Sequence, residues 1–282
     1  MAHDLAGKNV VITGATSGLG KVTALELARR GAHVILANRS LEKSAAVAAE
    51  LQAASGRAPE LVALDLGDLE SVRRAASELL AKDLPIHILI NNAGLAGQRG
   101  MTKSGFELAF GTNHVGHFLW TSLLLDRIKQ THAARIVTVA SAAHYRVKAW
   151  DWEAVQLSSK TRTAFHEYAV SKLANVLFSA ELARRLEGTG VTTYSLHPGA
   201  VATDVWRKVP QPFRWLLTRF MLTAEQGART SLKCATDPAL ASVTGRYYDA
   251  DGSEKQASRL ALDPALATEL WRRTAEWTGV KA

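Results

Sequence analysis

The sequence contains a single cysteine, Cys234, so no disulfide can form within the chain and no cysteine cluster can bind a metal. That scarcity suits a reducing, cytoplasmic compartment. Cys234 lies in a helical pattern and reads as a small packed residue rather than a reactive thiol. The nine histidines are scattered, without His-x-x-x-His or mixed carboxylate spacing, which argues against a metal site. There is no long apolar run, and residues 1–7 lead straight into the first strand-like segment, so neither a secretory leader nor a transmembrane anchor is expected. No linker, repeat or low-complexity tract divides the chain. The net charge of +8 suggests an anionic partner. Lys and Arg are nevertheless spread over helix faces, with no basic run and no nucleic-acid motif, so nucleic acid is not the expected partner. An anionic cofactor and a basic surface account for the charge more simply.

What the chain does have is an alternation of short apolar runs and helical periods. The apolar runs 8–13, 33–37, 60–64, 86–90, 135–139 and 191–196 read as buried strands, with a last strand near Arg246-Tyr247-Tyr248. Between them, helical spacing covers 21–30, 41–55, 68–83, about 105–129 and the segment around Tyr168. This alternation predicts one α/β domain. Nearly every strand ends in polar or glycine residues, and ligands of open parallel sheets bind at those carboxyl ends.

The first such end is Gly14-Ala15-Thr16-Ser17-Gly18-Leu19-Gly20, between the run ending at Thr13 and the helix starting near Lys21. Strand, glycine turn and helix are the context that makes a glycine pattern a phosphate site. The glycines admit the pyrophosphate to the backbone, and the helix N-terminus offers free N–H groups and a positive dipole end. The competing reading is an ordinary glycine-rich turn. At the end of the second strand stands Asn38-Arg39-Ser40, where an NAD site carries an acid for the ribose 2′-hydroxyl. No acid is present. Arg39 can pair with a 2′-phosphate, which favours NADP(H). The alternative is a solvent-exposed arginine opening a helix.

Tyr168 and Lys172 stand four residues apart, one turn apart on one helix face. A phenol held beside an ammonium has a stabilised anion and becomes a usable general acid/base. Taken alone, a Tyr and a Lys at this spacing are more often surface neighbours.

These features resemble the short-chain dehydrogenase/reductase superfamily over roughly residues 8–250. The resemblance rests on Thr13 to Gly20, Asn91-Asn92-Ala93-Gly94, Asn113, Ser141, Tyr168-Ala169-Val170-Ser171-Lys172 and Pro198-Gly199. The run Phe110 to Phe118, the run Ser171 to Leu177 and the long gap from Ser141 to Tyr168 are most similar to the retinol dehydrogenase-related branch. The resemblance implies a single Rossmann-type domain over residues 1–282, a doubly wound parallel sheet flanked by helices on both faces. It implies a catalytic set of Asn113, Ser141, Tyr168 and Lys172. Tyr168 would exchange the proton, Ser141 would polarise the substrate oxygen, Lys172 would lower the Tyr168 pKa and hold ribose hydroxyls, and Asn113 would hold a proton-relaying water. An Asn bonded to backbone inside its helix is the alternative at position 113.

By the same resemblance Gly14, Ser17, Gly18, Leu19 and Gly20 line the pyrophosphate, and Arg39 meets the 2′-phosphate. Asp65 and Leu66 flank the adenine, while Asn92, Ala93, Gly94 and Val115 back the ribose. Pro198, Gly199, Val201 and Thr203 close the nicotinamide end. The long helices imply a homodimer or homotetramer. Ala140 replaces a serine frequent in that branch, and the membrane anchor common in animal members is not seen. The activity class is therefore better supported than retinol as substrate.

Residues 204–222 mix Trp206, Phe213, Trp215, Leu216, Leu217, Phe220 and Met221 with Arg207, Lys208, Arg214 and Arg219. Such a segment fits a lid over an apolar carbonyl or alcohol substrate, a membrane-surface contact, or plain packing. A sensor or scaffold without catalysis remains the contrasting class, because fold alone does not fix function. An epimerase or dehydratase is disfavoured by the compact chain.

Overall fold

Seven short strands, none with a charged residue at its centre, form one sheet in a computed structural model that describes residues 3–200 and 222–281. The strands are β1 (Asn9–Thr13), β2 (His33–Asn38), β3 (Glu60–Ala63), β4 (Ile88–Asn91), β5 (Arg135–Val139), β6 (Thr192–Leu196) and β7 (Arg246–Tyr248). Their order is β3-β2-β1-β4-β5-β6-β7, and every neighbouring pair is parallel. The chain winds outward from β1 to β3 and then, from β4, outward on the other side. That reversal opens a crevice above the carboxyl ends of β1 and β4.

Both sheet faces are covered, which explains why the strands read as continuous apolar runs rather than alternating ones. Val10, Ile12, Val34, Leu36, Ile90 and Val137 point to one side. There they pack against α1 (Gly18–Arg29), α2 (Leu41–Ser55) and the helix Ala224–Thr236, here α6. Val11, Ile35, Val62, Leu89 and Ile136 point to the other. They meet α3 (Leu69–Ala81), α4 (Gly116–Lys129) and α5 (Phe165–Arg185).

Two departures from the sequence reading bear on the site. The helix expected from about 105 begins with the short turn Leu108–Phe110 and passes through a π-helical turn, Gly111–Val115, before entering α4. Gly105 itself has φ +85° and belongs to a turn closed by the Met101–Glu107 bridge. The other departure is α7 (Pro264–Thr278), which lies beyond the region read as structured. Asp263 caps it through the N–H groups of Ala265 and Leu266, Pro264 opens it and Gly279 ends it in the left-handed region. Its Trp271 stacks on Phe178 of α5 at 5.8 Å and meets Phe118 of α4 edge-on at 4.8 Å. A shared face of α4 and α5, the helices expected to pair between subunits, is thus covered by the chain's own α7. Any subunit pairing must use surfaces that α7 leaves open.

Among the described residues, no helix is long and apolar enough to cross a membrane. Val201, Thr203 and residues 204–221 of the expected lid lie outside the described residues.

Candidate active site

The crevice is built first from the loop after β1. Gly14 has φ +69°, and a Cβ there would stand 2.6 Å from the Ala93 Cα, so only glycine lets the two strand ends meet this closely. Ser17 precedes α1 in an extended conformation and makes no side-chain cap, leaving the first-turn N–H groups of Gly18, Leu19 and Gly20 without side-chain partners. Asn38, at the end of β2, accepts the Ala15 N–H at 2.7 Å and donates to the Ser44 hydroxyl at 3.0 Å. It braces the glycine loop from below, a role that the sequence reading did not assign. Arg39 beside it is exposed and forms no hydrogen bond or ion pair with other described residues. An uncapped helix N-terminus, a close-packed glycine turn and an available cation together fit an anionic dinucleotide.

Thr13 and Asn92 fasten β1 to β4. The Thr13 hydroxyl accepts the N–H groups of Asn92 and Ala93, both at 3.0 Å, and the Asn92 amide donates to the carbonyls of Thr13 at 2.8 Å and Gly14 at 3.1 Å. Asn92 is therefore a brace whose amide is occupied by protein. Further along the crest, Asp65 accepts the Gly67 N–H at 2.9 Å, while Leu66 is buried with its carbonyl against Gly116.

The candidate catalytic residues converge from three elements. A Cβ at Gly94 would lie 3.4 Å from both the Asn113 Oδ1 and the Lys172 Nζ, which places the end of β4, the π turn and α5 at one point. Lys172 is buried and donates to the Val139 carbonyl at 2.8 Å; Asn175 donates to the same oxygen at 3.2 Å. The Lys172 nitrogen lies 5.7 Å from the centre of the Tyr168 ring. Ser141 follows β5 and accepts the Ala143 N–H at 3.2 Å. Its hydroxyl faces Tyr168 and favours the ionised phenol. The Ser141 carbonyl is held at 2.7 Å by His144, whose other ring nitrogen accepts the Ser258 N–H at 3.2 Å.

Burial dominates the electrostatics. It raises the Tyr168 pKa, and only the bond from Ser141 opposes it. Burial also lowers the Lys172 pKa to about 7. The expected direction of influence, from ammonium to phenol, is therefore not what dominates in the protein alone.

Asn113 is held in place by its own side chain. Its side chain accepts the Leu95 N–H at 2.9 Å and donates to the Leu95 carbonyl at 3.0 Å and the Ser171 hydroxyl at 2.9 Å. Ser171 passes its own proton to the Tyr168 carbonyl at 2.7 Å. The Asn113 amide is thus committed to the Leu95 backbone and the Ser171 hydroxyl, so a relaying water would have to use its main-chain carbonyl. Val115, the last residue of this turn, is fully buried. Pro198 and Gly199 follow β6 at the same sheet end, and Leu222 approaches them through its N–H bond to the Ala200 carbonyl at 2.8 Å.

The sequence profile described as short chain dehydrogenase matches residues 8–212. The chain belongs to the short-chain dehydrogenase family. Within it the chain falls in the retinol dehydrogenase-related branch. It is 43% identical to retinol dehydrogenase 11 of Homo sapiens over 282 residues, covering 98% of this chain and 87% of that protein. Among solved structures, a Mycobacterium paratuberculosis protein matches with TM-score 0.77 and 35% identity, covering 100% of this chain and 98% of the other. A Beutenbergia cavernae protein, described as an NAD(P) dependent gluconate 5-dehydrogenase with bound NADP at low occupancy, matches with TM-score 0.72 and 29% identity. The match covers 89% of this chain and 98% of that one. This short-chain dehydrogenase is an oxidoreductase that interconverts carbonyl and alcohol groups.

Proposed function

We propose that this enzyme uses NADP(H) to interconvert a lipophilic aldehyde or ketone and its alcohol, with Tyr168 as the general acid/base. The observation that carries the reading is Tyr168 beside both Lys172 and Ser141, with Lys172 against Gly94 at the sheet crest and an uncapped glycine turn on one side. Arg39 and the lack of an acid after β2 support the 2′-phosphorylated cofactor. The name of retinol dehydrogenase 11 supports an apolar substrate.

When bound, the dinucleotide supplies the hydride for reduction or accepts it in oxidation. The protein's own residues manage the proton. Tyr168 gives its phenolic proton to the substrate oxygen as the alcohol forms, and takes it back in the reverse direction. Ser141, beside Tyr168, would donate to the same substrate oxygen and so polarise the carbonyl. Lys172, with a pKa near neutrality, can carry a proton at working pH and replace the one that Tyr168 gives up. Gly18, Leu19 and Gly20 would hold the pyrophosphate through their N–H groups, and Arg39 the 2′-phosphate.

Oxidation of NADPH and of NADH, followed across a panel of apolar and polar aldehydes and ketones, tests the reading. Turnover of apolar carbonyls with NADPH, lost in Tyr168→Phe, is expected. Tight NADPH binding with no turnover on any carbonyl or alcohol would point to a sensor instead.

A further inference from the structure

His117 lies on the first turn of α4, is 1% exposed, and joins two parts of the site that otherwise belong to separate elements. One ring nitrogen, Nε2, is 2.8 Å from the Thr13 hydroxyl, and the other, Nδ1, is 2.9 Å from the Asn113 carbonyl. The direction of each bond follows from counting protons. The Thr13 oxygen already receives the Asn92 and Ala93 N–H groups, which can only donate. Its own proton must then go to Nε2, so Nε2 is bare and Nδ1 carries the hydrogen given to the Asn113 carbonyl. Every group in this chain is satisfied with a neutral ring. A second ring proton would confront the Thr13 hydroxyl and break it.

The bonded chain thus runs from the backbone of Asn92 and Ala93, where the cofactor would lie, through Thr13 and His117 to the main-chain carbonyl of Asn113 in the π turn. From Asn113 it continues through Ser171 to the Tyr168 carbonyl. A π turn shifts carbonyls away from regular helical partners, so a side chain that holds one fixes the register of that turn. We propose that His117 is a positioning residue, locked as the Nδ1–H tautomer, that ties the cofactor-bearing end of β4 to Asn113 and, through Ser171, to the start of the Tyr168 helix. It touches neither substrate nor cofactor. The proposal rests on the oxidoreductase reading for its kinetic consequence, but not for the bonded chain itself.

Two measurements on the full-length protein test it. Nitrogen-resolved NMR of the ring should show Nδ1 protonated and Nε2 bare, without titration between about pH 5 and 8. An Nε2-protonated or titrating ring overturns the proposal. In His117→Phe, kcat should fall roughly ten- to hundredfold while carbonyl KM and NADPH affinity stay within about threefold. His117→Gln keeps one donor and one acceptor and should recover part of kcat. Phe and Gln variants that share a lowered melting temperature but keep wild-type kcat would leave His117 as packing alone and overturn the proposal. If the wild-type protein turns over no carbonyl at all, the function reading fails by itself. Amide exchange at Asn92 and Ala93 then decides this proposal: faster in His117→Phe supports it, unchanged sinks it. Should His117→Phe not fold, His117→Gln and the wild-type ring state still decide.

Discussion

Lys172 and the Val139 carbonyl lie 2.8 Å apart, so the central turn of α5 is fastened to the strand that delivers Ser141 two residues later. This bond settles the distance between α5 and β5, but it does not offset the cost of burying an ammonium. The Lys172 pKa falls from its ordinary 10.5 to about 7. Between those values the unfolded chain binds more protons, so the folded protein gains stability as pH rises through that window. Lys172→Met is therefore expected to melt higher than wild type at pH 6–7, with the gap narrowing toward pH 10. The Val139 carbonyl keeps Asn175 in the variant. A gap independent of pH would contradict a buried, depressed lysine.

Tyr168→Phe removes one hydroxyl and keeps the ring against Phe165, 5.9 Å away. Turnover should drop by roughly 10²–10⁴-fold. NADPH affinity, read by fluorescence titration, should change by less than about twofold, because the pyrophosphate cradle is formed by other residues. Near-native turnover in the variant would remove Tyr168 from the chemistry.

Arg39→Ala should weaken NADPH by roughly ten- to hundredfold, the scale of a charge-assisted pair of about 1.5–3 kcal/mol, and leave NADH nearly unchanged. Parallel titrations with the two cofactors check this. Equal losses, or a wild-type preference for NADH, would count against the 2′-phosphate assignment.

Gly116→Ala should be far more damaging than a surface glycine change. The new Cβ would stand 2.3 Å from the Leu66 carbonyl oxygen, and backbone has to move to relieve it. Overpacking of this kind costs about 1–3 kcal/mol. The displacement falls on the residue that ends the π turn, so kcat should fall together with the melting temperature. A fully active, fully stable variant would show that α4 and the β3–α3 loop can separate freely.

The sheet was legible because both of its faces are buried. Continuous runs such as Val10-Val11-Ile12 leave little ambiguity about a strand in an alternating α/β pattern, and the glycine turn sits where a strand gives way to a helix. The π turn was not legible. Gly111, Asn113, His114 and Val115 are all buried, so no exposed face marks the change of period, and the apolar spacing continues into α4. The Asn113–Leu95 clasp was equally hidden, since Leu95 lies in a loop without a motif of its own. The helix α7 did carry readable signals, in Asp263-Pro264 and Gly279 around the spacing Ala267, Leu270, Trp271, Thr274, Ala275. It lies beyond the last strand, where no motif of the family draws attention to it. His117 lies within the run Phe110 to Phe118, yet nothing in its spacing separates it from any other buried histidine.

Trp271 packs between Phe118, Phe178 and the Arg185 guanidinium, which lies 4.4 Å from its ring centre. Trp271→Ala should cost about 3–5 kcal/mol, seen as an early urea transition. The position of that ring also bears on how the enzyme is made. Residues 264–278 leave the ribosome after every strand of the sheet, yet they seal the outer flank of the two helices that carry the π turn and Tyr168. Up to that moment Phe118 and Phe178 lack their cover, so the nascent enzyme holds a finished sheet beneath an unsealed catalytic helix pair. Chaperone contact should therefore concentrate on these two helices and end when α7 emerges.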